Sequence, residues 1–185
     1  IIIEEIDVAG PSGNESPASL TNYGEIGYFL VTIEASDHIT IRNSIVRGGA
    51  NGGILFIRGS SNGLIYNVDT YDHRTTGIYF WEAGEGNKVV KCHVYLCGNK
   101  ISDTGDMGLI GIFKTPFVTI QDCNLHNNGH AGISLIDAAV SAVRSPFCRI
   151  TRNYIHDVAG TAVQFAEWSD SGMADYNLIQ KWGIF

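Results

Sequence analysis

Two carboxylates, Asp137 and Glu167, fall at the same place in successive lines of a repeat. Each lies five residues after a small-aliphatic step, Gly132-Ile133 and Ala162-Val163. If the two lines stack, the carboxylates stand about 5 Å apart and mutual repulsion raises one pKa. A general acid and base, or a Ca2+ ion, needs such a pair, and a spacing near 5 Å is also that of retaining glycosidases. The competing reading is two turn carboxylates pointing to different directions in solvent. Asp103 and Asp106 in "NKISDTGDMG" offer further acids or ligands for a hard cation. Lys100, Lys114 and Arg144 lie in or beside the same stretches, with His130 close by, and supply cations that could hold an acidic sugar. Tyr79, Trp81 and Gln164 alternate outward from the strands that follow the small-aliphatic steps, and aromatic and amide groups suit sugar rings.

Such residues need a scaffold that brings them together. The chain has 185 residues with 44% hydrophobic and 17% charged content, 22 Gly and 4 Pro. This is the composition of a globular, loop-rich domain. A formal charge of −7 argues against a nucleic-acid surface, which needs a basic footprint. No apolar run approaches the roughly 18 residues of a helical membrane span. The chain opens in "IIIEEIDV" and stops in "WGIF", inside apolar runs, so it reads as a piece of a longer chain.

The organising signal is repetition. "TPFVTIQDCNLHNNGHAGISLI" from Thr115 is matched in pattern by "SPFCRITRNYIHDVAGTAVQF" from Ser145. Ser44, Val68, Cys92, Cys123, Asn153 and Asn177 form one small or polar column spaced by 24, 24, 31, 30 and 24 residues. The base period is therefore 24, with insertions expected at "NKISDTGDMG", before one strand, and at "DAAVSAVRS", after the next. The two would rise on opposite sides of one face. Each period holds three short strands with period-two alternation, such as "GILFI", "NKVVK" and "CHVY". No helical pattern is long enough for a crossover. The pattern predicts an all-β solenoid of about six coils, each stacked on the last at ~4.8 Å. One apolar row, Ile54, Ile78, Leu109, Ile133 and Val163, would point inward, and Leu55, Ile57, Ile110, Ile112 and Ile136 outward. Residues 1–27 read as an incomplete coil and loop before a solenoid over 28–185.

Equivalent positions in successive coils are neighbours. Five residues after each small-aliphatic step come Glu34, Arg58, Glu82, Phe113, Asp137 and Glu167, the first three a charge ladder. On another sheet, Arg47, Tyr71, Tyr95, His126, His156 and Gln180 form one outward column, and Ile45, Asp69, His93, Asn124, Tyr154 and Leu178 a second. These read as stacking ladders or as a sugar platform. Cys92, Cys97, Cys123 and Cys148 have no zinc spacing and read as buried thiols.

The repeat carried by "CNLHNNGHAGISL" and "NYIHDVAGTAVQF" resembles the right-handed parallel β-helix of the pectin-lyase-like superfamily, from about Tyr28 to Phe185. The resemblance implies a carbohydrate groove beside the Gly-Ile strands and an extracellular setting. It also implies an enzyme of acidic polysaccharides, a lyase or a glycoside hydrolase, in which Lys or Arg serves as base with Ca2+ as clamp. "YDHRTTG" is similar to the Asp-Pro-His-Asp signature of mannuronan epimerases at Asp72 and His73 alone. The second class of function left open is a non-catalytic glycan-binding or structural segment of the adhesin or tailspike type, whose apolar outward row would pack on a partner, a second copy or further coils.

Overall fold

The computed structural model describes residues 1–10, 29–98, 108–128 and 138–182. Every described element is a β-strand and every pairing is parallel. Six strands stack into one sheet: β3 (Phe29–Glu34), β5 (Gly52–Ile57), β7 (Thr76–Trp81), β10 (Ile110–Phe113), β13 (Ala138–Val143) and β16 (Thr161–Ala166). A twelve-stranded sheet wraps the rest of each coil in two flanks. The first flank holds β8 (Lys88–Val90), β11 (Thr119–Gln121), β14 (Arg149–Thr151) and β17 (Met173–Asp175). The second holds β9 (His93–Cys97), β12 (Asn124–Asn128), β15 (Tyr154–Val158) and β18 (Leu178–Trp182). The long strands β4 (Thr40–Arg47) and β6 (Leu64–His73) run through both flanks. The first ten residues supply β1 (Ile2–Glu4) and β2 (Asp7–Ala9), both paired with β4, so they already belong to the solenoid wall.

No coil can bury its apolar row alone; stacking makes the core continuous. Ile54, Ile78, Ile110 and Val140 stand in register, as do Phe56, Phe80, Ile112 and Ala142, and all eight are buried. Leu109, expected inward beside Ile78, yields that place to Ile110, and Ile110 and Ile112 are core residues rather than outward ones.

Short strands demand sharp corners, and these are made by residues in the left-handed region. One corner follows the six-stranded sheet, at Ala35, Arg58, Glu82, Lys114, Arg144 and Glu167, with φ between 44° and 53°. A bulky side chain there costs roughly 1 kcal/mol or more. Stacked hydrogen bonds offset that cost. Thr115 N–H donates to Ser145 Oγ at 3.1 Å, and Ser145 N–H to Ser169 Oγ at 3.1 Å. Cys123 N–H donates to Asn153 Oδ1, and Asn153 N–H to Asn177 Oδ1, both at 2.9 Å. The repeated Thr-Pro-Phe and Ser-Pro-Phe are thus structural: the hydroxyl joins a ladder, and the rings of Phe117 and Phe147 stack outside at 4.8 Å.

Candidate functional site

The outer face of the six-stranded sheet is apolar in its early coils and mostly covered. Leu55, Ile57 and Tyr79 are buried, packed with Phe29, Trp81 and Phe113. Tyr79 is only 4% exposed, its ring stacked 6.2 Å from Phe29 and lying over Gly111, where a Cβ would meet the ring at 2.7 Å. Tyr79 is therefore part of an outer core and not the exposed sugar platform expected from its outward position. Trp81 keeps a partly open ring, edge-on to Tyr79 at 5.7 Å and to Phe113 at 5.9 Å. Gln164 is half-buried and accepts a bond from Ser141 Oγ at 3.4 Å.

The exposed chemistry lies at the left-handed corner where these strands end. Arg58 pairs with Glu34, Lys114 Nζ with Glu82 at 2.7 Å, and Arg144 with Glu167 at 2.8 Å. Rings are interleaved with these charges. Lys114 sits 5.1 Å over Phe113, and Arg144 lies between Phe113 and Trp168 at 5.9 and 5.5 Å. Trp168 is 76% exposed.

This register corrects the expected Asp137–Glu167 pair. Arg144, a cation, occupies the coil position beside Glu167, and Asp137 lies outside the described residues. The physical reason is the corner ladder. Phe113 and Lys114 lead straight into Thr115, so Val143 and Arg144 must lead straight into Ser145. "AAVSAV", expected to be an insertion, is therefore strand β13, and the added length of that coil precedes it. The expected Gly132–Ile136 strand lies outside the described residues. Both long connections, from Cys97 to Ile110 and from Asn128 to Ala138, consequently join the second flank to the six-stranded sheet in adjacent coils. The described ends of the two connections therefore lie at equivalent places in neighbouring coils, where opposite sides of the face were expected. Lys100, Asp103, Asp106, His130 and Asp137 fall within these connections, outside the described residues. Among the described residues, no group of three or more His, Cys, Asp or Glu side chains is placed to hold a metal ion.

The second flank carries the two columns read from the sequence, in the expected register. Tyr71, Tyr95, His126 and His156 stack ring on ring at 4.8, 5.1 and 4.6 Å. Ring edges, not faces, therefore meet solvent. Burial, and then the neighbouring charges of His93 and His156, push His126 down to about 4. Burial likewise lowers His93, against the pull of Asp69.

A match to the model of the right-handed beta helix region spans residues 26–181. The chain belongs to the right-handed β-helix family. No curated protein sequence matches it significantly. Among solved structures it is similar to a glycosyl-hydrolase candidate of Parabacteroides merdae, at 14% identity and TM-score 0.53, covering 84% of this chain and 76% of that one. It is also similar to the A-module of a mannuronan C-5 epimerase of Azotobacter vinelandii, at 14% identity and TM-score 0.42, over 85% of this chain and 61% of that one. A surface protein and adhesin of Streptococcus pneumoniae follows at 13% and 0.39, over 80% and 48%. At such identities the likeness is one of fold.

Two features of this β-helix bear on the epimerase-like stretch and on the thiols. His73 is fully buried inside the coil. Its Nδ1 accepts the Gly49 N–H at 2.9 Å, and its Nε2 lies 2.8 Å from Thr70 Oγ1 and 3.2 Å from the Val46 carbonyl. It braces the wall and faces no groove. Cys92, Cys97, Cys123 and Cys148 are buried free thiols; burial pushes Cys97 up to about 12 and Cys148 to about 11, so neither is a ready nucleophile. The exposed corner residue that column-reading missed is Trp168. Its signal was local: an aromatic directly after the corner residue Glu167.

Proposed function

We propose that this β-helix protein engages an extracellular polysaccharide along the corner bordering its six-stranded sheet and cleaves it there, by β-elimination or hydrolysis. The observation that carries the reading is the cluster at this corner of the half-buried rings of Trp81 and Phe113, the exposed cations Lys114 and Arg144, and the exposed ring of Trp168, with the cations lying over the rings. Rings of this kind stack on sugars, and the cations suit carboxylates of an acidic chain. Gln164 adds an amide on the outer face. Asp103, Asp106 and Asp137 would supply acid and base from the two long connections, with Lys100 and His130 beside them; Asp103 and Asp106 would hold Ca2+, whose oxygen chemistry they suit. In β-elimination one loop acid, ionised, would take the proton α to a uronate carboxylate, the glycosidic C–O bond at the β carbon would break, and a second, protonated, would give its proton to the leaving oxygen; a bound Ca2+ would supply charge stabilisation at the carboxylate.

A second reading rests on a specific observation: Glu82 and Glu167 are each engaged by a cation, so the corner by itself binds rather than cleaves. A product assay on uronate and neutral polysaccharides, with Ca2+ or EDTA, separates the two. Unsaturated-uronate absorbance or new reducing ends, lost in the Asp103→Asn/Asp106→Asn/Asp137→Asn protein, supports cleavage. Binding without product supports a non-catalytic glycan-binding segment. Neither product nor binding on any polymer defeats both.

A further inference from the structure

On the second flank, away from the corner, His93 and His126 of adjacent coils meet nitrogen to nitrogen, with Nε2 atoms 2.7 Å apart. A neutral imidazole has one donor and one acceptor nitrogen, so this contact needs one proton between the two rings. The far sides of the rings pull against that. His93 Nδ1 lies 3.7 Å from Asp69 Oδ1, and a carboxylate only accepts. The Asn127 side chain favours the protonated form of His126. With a proton held on each far nitrogen, two lone pairs would oppose each other across the gap, and a cation bridging them removes the conflict.

We propose that His93 and His126 form a two-histidine site for a borderline divalent transition-metal ion, Zn2+ or Cu2+, with water completing the coordination. Metal–nitrogen bonds of about 2.0–2.1 Å at a tetrahedral angle place the two nitrogens roughly 3.3 Å apart, so the rings need to part by only about 0.6 Å. Asp69 is a positioning residue, in the carboxylate–histidine–metal arrangement that orients such ligands. Tyr95 stacks on both rings, at 4.3 and 5.1 Å, and fixes their planes. His156 is not a ligand: its Nε2 is taken by Asn124 Oδ1 at 3.1 Å and its Nδ1 by Asp157 at 2.7 Å. Nitrogen ligands select against Ca2+, so this site is chemically distinct from the acids of the long connections.

The test is calorimetric titration of the tag-free chain with ZnCl2, and with CaCl2 as control. One Zn2+ per chain is expected, in the wild type and equally in a triple Asp103→Asn/Asp106→Asn/Asp137→Asn protein, and Ca2+ should give that triple variant no heat of binding. His93→Gln and His126→Gln should each lose Zn2+ binding, Asp69→Asn should weaken it about tenfold, and His156→Gln should leave it intact. Electron paramagnetic resonance of the Cu2+-loaded wild type should show two bound nitrogens, which keeps the proposal testable if a variant fails to fold. Absence of Zn2+ binding, binding unchanged in both histidine variants, or a Cu2+ spectrum with no nitrogen coupling would overturn it.

Discussion

Acidification should reveal what His73 does. Its ring is completely buried, and burial lowers its pKa to about 4 although the Val46 carbonyl favours the charged form. In the unfolded chain a histidine titrates near 6.5. Between those values the unfolded chain binds the extra proton, so the neutral ring's stability is present in full above about pH 6.5, falls as pH drops, and is gone by about pH 4. A shift of that size is worth about 3 kcal/mol, on the scale of 1.36 kcal/mol per pKa unit. Urea unfolding of wild type and His73→Gln at neutral pH and near pH 4 isolates the effect, because the carboxylates that also respond to acid are common to both. Wild type should lose about 3 kcal/mol more than the variant over that window. Nuclear magnetic resonance of the same ring should show a neutral Nε2–H tautomer at neutral pH, matching the Gly49 N–H donated to Nδ1. A His73 that titrates near 6.5, or equal losses in both proteins, would refute the reasoning.

Other substitutions separate scaffold from site. Asn153→Ala orphans the buried Cys123 N–H and Ile120 carbonyl, and should cost about 2–4 kcal/mol in chemical denaturation. Tyr79→Ala should destabilise by about 3–5 kcal/mol, as expected of a buried aromatic, whereas a solvent-facing platform residue would change stability little. Arg144→Ala should shift stability by less than about 1 kcal/mol, since its pair with Glu167 is exposed. The same change should weaken retention of an anionic polysaccharide in affinity electrophoresis, with a smaller difference at high salt.

The outward Tyr and His columns were legible because those coils keep equal length between the small-residue column and the strand that follows. His126 and His156 could be aligned by counting from Cys123 and Asn153. The six-stranded sheet was legible in kind but not in register. "GISLI" carries the alternation more plainly than "AAVSAV" does, and it is the demand that each strand run directly into its hydroxyl corner that selects "AAVSAV" as the partner of β10 and β16. The match of Thr115-Pro116-Phe117 with Ser145-Pro146-Phe147 carried that information. The left-handed corners were not readable, because the usual signal is Gly or Asn, whereas here Leu96, Phe117 and Arg144 adopt that conformation under constraint from neighbouring coils. The burial of Tyr79 was equally hidden, since alternation shows which face a residue joins but not whether that face is covered.

The most direct test of the central claim compares polysaccharide binding in Trp81→Ala/Arg144→Ala with Tyr154→Ala, whose ring lies on the second flank. If the corner of the six-stranded sheet is the glycan surface, the first protein loses affinity for the retained polymer and the second keeps it. Loss confined to the Tyr154 variant, or equal retention in all three proteins, would contradict the account.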